Sequence, residues 1–228
     1  MGAGDRFRHW LGPGRGLEDS TREDMLERLR SGGVRDERVL EAMARVPREE
    51  FVTEGSETEA YADRALAIGY GQTISQPLMV AVLVQALAPT AGERVLDIGT
   101  GSGYQAAVIA ACGAHVISVE RLERLAVSAR RRLERLGFDV EVVEADGSLG
   151  LPEQGPYDAI AVAASAPRVP EQLVAQLAEG GRLCIPVAAA DCDRLIRVRR
   201  YGDQAMRDDL GPCRFVPLLG AGGFPEAS

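Results

Sequence analysis

Cysteine is scarce and unpatterned in this chain: Cys112, Cys184, Cys192 and Cys213 are the only four among 228 residues, none forms a C-x-x-C pair, and only His9 and His115 could join them on a metal. Such spacing indicates neither a metal site nor a disulfide framework. Cys112 and Cys184 sit in apolar contexts where a thiol acts as a small hydrophobe, which fits a reducing compartment. No stretch approaches the roughly 18 apolar residues of a membrane span, and the Gly-rich, charged segment up to Glu18 lacks the apolar core of a secretory signal. The expectation is a cytoplasmic protein with no membrane partner. Positive charge is also in deficit, 26 Lys+Arg against 34 Asp+Glu for a net −8, so nucleic acid is an unfavourable partner.

What is present is enough apolar material, 46% of residues, for one sizeable core. Residues 1–18 read as a flexible tail. The cap-like run Asp19-Ser20-Thr21 before Met25, Leu26 and Leu29, and the repeat at Val39, Leu40 and Met43 before Pro47, predict two short helices. With a polar, Gly-punctuated loop over residues 53–76 they make up an N-terminal region, 19–76, and a loop of that length in a compact domain is often functional. Pro77 suits the first turn of a helix running to Leu87.

Over residues 77–219 short β-rich runs alternate with helical ones. Strands are expected at Arg94–Ile98, His115–Val119, Val140–Glu144, Tyr157–Ala163 and Arg182–Val187, and helices at Gly103–Cys112, Arg121–Leu136 and Val169–Leu177. This alternation predicts an α/β fold with a doubly wound parallel sheet. Arg194–Tyr201 and Cys213–Leu218 are expected to form a terminal antiparallel hairpin, and residues 220–228 a second flexible tail.

The strand Arg94-Val95-Leu96-Asp97-Ile98 runs directly into Gly99-Thr100-Gly101-Ser102-Gly103 and a helix, placing a glycine turn at a strand's carboxyl end, where ligands bind in this architecture. The spacing is G-x-G-x-G. A dinucleotide fingerprint would carry its third glycine at position 104, occupied here by Tyr104. Asp97 would moreover oppose a pyrophosphate. S-adenosylmethionine (SAM) has no phosphate; its ammonium suits Asp97, directly or through water, and its carboxylate suits the turn's amides. Glu120, ending the second strand with Arg121 beside it, is placed to accept hydrogen bonds from ribose hydroxyls. Asp146-Gly147 fits either an approach to adenine or only a turn.

Six blocks in order carry a resemblance: Val46-Pro47-Arg48-Glu49-Glu50-Phe51-Val52, Thr73-Ile74-Ser75-Gln76-Pro77, the Asp97–Gly103 turn, Pro156-Tyr157-Asp158-Ala159-Ile160, Glu179-Gly180-Gly181-Arg182-Leu183 with Pro186-Val187, and Phe215-Val216-Pro217-Leu218. From about Thr21 to Leu218 the chain resembles the protein-L-isoaspartate (D-aspartate) O-methyltransferases. The resemblance implies a SAM-dependent methyltransferase core of Rossmann-like type that uses SAM, releases S-adenosyl-L-homocysteine and acts, as a monomer, on isoaspartyl peptides and proteins in a repair step. It implies that Ser75 lies at the active site with Thr73 and Ile74 beside cofactor and substrate, and that Ala163, Ala164, Val216 and Pro217 help hold the substrate peptide. Three places depart from the family pattern, Ala145, Ser165, and Leu219 with Gly220–Gly223, mostly on the substrate side.

Methyl transfer to a carboxylate needs no general base, because the acceptor is already ionised, so the expected catalysis is alignment and desolvation. Ser75 is assigned to orient the carboxylate; the competing reading is a cap for the helix at Pro77. The arginines between Arg121 and Arg135 alternate with leucines and read as a solvated helix face. Those from Arg194 to Arg200 read as guards of an edge strand. Two other functions fit the sequence: methylation of an aspartate in one dedicated partner peptide, and a non-catalytic SAM-binding module.

Overall fold

In the computed structural model, residues 20–225 are described, so the tail read over residues 1–18 lies outside them. Helix α1 (Arg22–Ser31) starts where Thr21 and Asp24 form a reciprocal capping box, and it buries Met25 and Leu29. Helix α2 (Glu37–Arg45) is capped by Asp36 and buries Val39, Leu40, Ala42 and Met43. These two pack on α3 (Pro77–Leu87), which opens on proline as expected. Between them, residues 53–76 are not wholly irregular. A short hairpin, β1 (Leu66–Gly69) paired antiparallel with β2 (Gln72–Ile74), turns through Tyr70 and Gly71, both at positive φ.

The main sheet comprises β3 (Arg94–Ile98), β4 (His115–Glu120), β5 (Val140–Glu144), β6 (Tyr157–Val162), β7 (Leu177–Val187), β8 (Asp193–Tyr201) and β9 (Gln204–Cys213), in spatial order β5-β4-β3-β6-β7-β8-β9. The first five are parallel, and β8 and β9 extend the sheet antiparallel. Alternate residues of the central strands face opposite layers. Val95, Ala159 and Ala161 join a core with the N-terminal helices and α4 (Tyr104–Ala111), while Leu96, Ile98, Ile160 and Val162 join a second core on the other face. The fold is the doubly wound α/β sheet expected, with α5 (Glu123–Leu136) following β4.

Two boundaries moved. The helix expected over Val169–Leu177 is only α6 (Glu171–Ala175), because β7 begins at Leu177. The hairpin's second strand is not Cys213–Leu218: after a two-residue turn at Gly202-Asp203 the chain returns at once as β9. That strand is held by polar pairs, Asp208 with Arg197 and Arg199, and half of its residues are exposed, so it shows no apolar alternation in sequence. The apolar Phe215–Leu218 segment instead crosses to the carboxyl end of β6, where Ser165 N donates to Val216 O at 2.8 Å and Leu218 N to Ser165 O at 2.7 Å.

Arg182 binds several elements together. Its guanidinium makes two 2.6 Å bonds to the Glu93 carboxylate just before β3 and donates to the carbonyls of Leu87, Ala88 and Asp158. Its side chain is 14% exposed and that of Glu93 22%, so loss of one partner strands the other with little water. Arg182→Ala is expected to lower unfolding free energy by about 2–4 kcal/mol, read as a lower urea midpoint at unchanged slope.

Candidate active site

Strand β3 leads to β4 and β5 on one side and neighbours β6 on the other, so the order reverses beside β3, and a crevice opens beyond the strands' carboxyl ends. Its floor is the glycine turn. Gly99, Gly101 and Gly103 have φ of 91°, 53° and 93°, values a side chain would strain. Gly99 N donates to Val119 O at 2.9 Å and Gly101 N to Glu120 Oε2 at 2.8 Å. Behind the turn, Arg132 Nη1 donates to Ser102 O at 2.8 Å. The resulting cleft, about 850 Å³, is bounded by Gly99–Ser102, Glu120, Arg121, Gly147 and Ser148, and across from them by Thr73–Ser75, Ala163, Ala164 and Val216–Leu219. The β1–β2 hairpin reaches over the turn, Ile68 coming within 3.3 Å of where a Cβ on Gly101 would lie.

Asp97 does not border the cleft; it is fully buried beneath the turn. Gln105 Nε2 donates to its Oδ1 and the Ser118 hydroxyl to its Oδ2, both at 2.7 Å, and Ser118 Oγ lies 2.6 Å from Thr100 Oγ1. Burial pushes its pKa up to about 6, against those two hydrogen bonds, with the Glu120 charge adding to the rise. A negative charge with no cation beside it thus sits one layer under the amides of the turn. Gln105 and Thr100, which do border the cleft, separate it from any ligand.

Glu120 is 6% exposed, and its second oxygen, Oε1, accepts from Leu122 N at 3.0 Å. Asp146 turns away from the cleft: its Oδ1 accepts from Ser148 N and its Oδ2 from Ala221 N, both at 3.0 Å. Burial works against these bonds, yet they hold its carboxyl below the usual range. Of the pair read in the sequence, only Gly147 reaches the cleft. A Cβ there would lie 2.9 Å from Ile98 Cγ2, so the backbone lies close against the strands.

A second cleft of about 570 Å³ opens on the far side of Ser75. Thr73, Ser75, Ala163 and Val216 border both clefts, while Ala65, Gln76, Met79, Arg214 and Phe215 border only the second. Gln76, not Ser75, is the N-cap residue of α3, and the side chain that takes a first-turn amide of that helix is Asp63, whose Oδ1 accepts from Leu78 N at 3.1 Å. The capping alternative for Ser75 therefore falls away.

The family model of the protein-L-isoaspartate (D-aspartate) O-methyltransferases matches residues 20–222. The chain belongs to that family. A Pelobacter propionicus protein-L-isoaspartate O-methyltransferase 2 is 54% identical over 211 residues, 91% of this chain and 94% of its own. A solved protein-L-isoaspartate O-methyltransferase superposes with a TM-score of 0.79 at 32% identity, over 89% of this chain and 67% of its own. A Plasmodium falciparum structure assigned to the same activity, in complex with S-adenosyl-L-homocysteine, gives 0.76 at 28% identity over 89% and 99%.

This methyltransferase brings Thr73, Ile74, Ser75, Gly99, Thr100, Gly101, Ser102, Glu120, Arg121, Gly147, Ala163, Ala164, Val216 and Pro217 to the first cleft; Asp97, Gly103 and Asp146 stand behind it. Gly103 is the residue from which α4 starts, packed on Leu133. Gln105 and Ser118 escaped notice in the sequence, though Gln105 lies on the face of α4 that follows the turn. Ionised Asp97 weighs against the folded state above pH 6, and that cost fades as pH falls from 6 toward the unfolded carboxyl value near 4. Asp97→Asn is therefore expected to be the more stable protein at pH 8, by on the order of 1–3 kcal/mol, with the gap closing by pH 4, and to bind S-adenosylhomocysteine about tenfold or more weakly in calorimetry at pH 8.

Proposed function

We infer that the chain methylates the free carboxylate of L-isoaspartyl (and D-aspartyl) residues in peptides and proteins, with SAM as donor, as a step in protein repair. The observation that carries this is the meeting of two clefts at Ser75, one floored by a glycine turn and the other open to a peptide. The cleft's apolar walls with a few polar groups converging on them have the character of a cofactor site. A glycine turn with a buried acid beneath it and Glu120 at the end of β4 suit an aminoacyl-nucleoside with a cationic amine. When bound, SAM supplies an electrophilic methyl carbon.

The residues' part is positional. The acceptor carboxylate is ionised at neutral pH and needs no base, so what the protein adds is orientation and removal of water. On this reading the Ser75 hydroxyl donates to the acceptor carboxylate, leaving its other oxygen to attack. Ala163–Ala164 and Val216–Pro217, two segments joined by the Ser165 hydrogen bonds, form the opposite wall and hold the peptide. Arg121 and Thr73 complete the cofactor side.

The same reading takes the enzyme as a cytoplasmic monomer, and the four widely spaced cysteines support the reducing compartment. Methylation of one dedicated partner peptide is not favoured, since relatives matching nine-tenths of the chain carry the isoaspartate name. The deciding experiment pairs two peptides that differ only in isoaspartyl or aspartyl linkage, with labelled SAM. Label is expected on the isoaspartyl peptide, and equal labelling of both would sink the assignment. Ser75→Ala is expected to lower kcat/KM by about 10–100-fold, the worth of one hydrogen bond to a charged group, with S-adenosylhomocysteine affinity unchanged.

A further inference from the structure

Arg48 does not border the first cleft and, among the described residues, has no carboxylate within salt-bridge distance, only the Asp63 charge acting on it from further off, yet it is fully buried. It opens the short turn Arg48–Phe51 after Pro47. Nε donates to Ala60 O at 2.6 Å and Nη2 to Ser75 O at 2.7 Å, while its guanidinium carbon lies 4.6 Å from the centroid of the Tyr104 ring. Phe51 meets the same ring edge-on at 5.5 Å. Nη1 has no hydrogen-bond partner among the described residues.

A buried guanidinium without a paired acid is an expensive way to fill space, and an apolar side chain of similar size is commonly tolerated or stabilising in its place. The three groups it does engage lie far apart in sequence but share one location. Ala60 and Ser75 bracket the β1–β2 hairpin that covers the cofactor, and Tyr104 is the first residue of α4, directly after the glycine turn. We infer that Arg48 is a positioning residue for methyl transfer, fixing the Ser75 backbone between the two clefts against the start of α4. The inference rests on the role given to Ser75 above. Arginine's rigid fork allows two carbonyls and a ring face to be held together; an ammonium is a single point and cannot span them.

The test uses the full chain carrying Arg48→Lys, Arg48→Met and Ser75→Ala, singly and with Arg48→Lys combined with Ser75→Ala. Readouts are kcat and KM for the isoaspartyl peptide, S-adenosylhomocysteine affinity by calorimetry, and thermal unfolding. Both Arg48 variants are expected to fold and to bind S-adenosylhomocysteine within about threefold of the parent, with kcat lowered about tenfold or more. In the Ser75→Ala background, Arg48→Lys is expected to cost less than about threefold further, the signature of residues acting through one another. Unchanged kcat in both Arg48 variants, unfolding of both variants, or losses fully additive with a Ser75→Ala that itself lowers kcat would overturn the inference. A silent Ser75→Ala would instead remove the hydroxyl's role, and a lowered kcat in Arg48→Lys at unchanged cofactor affinity would still mark the backbone as what Arg48 positions.

Discussion

An uncompensated carboxylate under the glycine turn is the constraint around which the rest of the site is arranged. Asp97 sits on β3, inside the sheet, with no cation in contact among the described residues, its carboxylate held by Gln105 and Ser118. Such a group weakens the apo fold, and its pKa, raised to about 6, expresses that cost. A protein selected for stability alone would place an apolar residue there, as Val95 and Ile98 do on the same strand. The charge makes sense if a cation is expected above the turn, and it disfavours the phosphates that glycine turns elsewhere attract. Thr100 and Gln105 stand between acid and cleft, so the field acts through polar groups and the acid itself stays dry.

The parts of this arrangement that were legible in sequence are the local ones. The β3 strand, the turn and α4 are contiguous, and Glu120 follows at the end of the next strand; spacing alone located them. The two N-terminal helices could be read because Thr21 lies in a cap-like run before the first and the apolar repeat Val39, Leu40 and Met43 marks the second before Pro47. Asp97's partners could not: Gln105 and Ser118 lie 8 and 21 residues further on, and nothing in either residue's neighbourhood in sequence points to it. The same holds for Asp146, whose oxygens are taken by its own turn and by Ala221, 75 residues away.

Sequence patterning also failed where the chain is polar for structural reasons. β9 carries Gln204, Arg207, Asp208 and Asp209 on an exposed edge, and charge pairing with β8 replaces apolar alternation as the force that sets its register. The β1–β2 hairpin turns through Gly69, Tyr70 and Gly71, which read as loop because loops and tight turns share glycine. In both cases the misread segment lies beside the site: the chain after β9 supplies Val216 and Pro217, and the hairpin supplies the cover over Gly101.

These misread segments also explain how cofactor and substrate sides become one site. The stretch after β9 first meets Ser165 at the end of β6, then passes Leu218 and Leu219 along the cofactor cleft, and then donates from Ala221 and Gly222 to Asp146 and Ser148. The segment read as a flexible tail from residue 220 is thus seated through Gly222 against the loop that follows β5, and Phe224 folds back on Leu218 and Leu219. Each end of the cleft is spanned by chain from outside β3–β6: residues 215–224 at the Gly147 end, and the hairpin with Ser75 at the glycine turn. The two clefts therefore share walls instead of occupying separate lobes, and on the proposed reading the contacts that close the first cleft also remove water at Ser75.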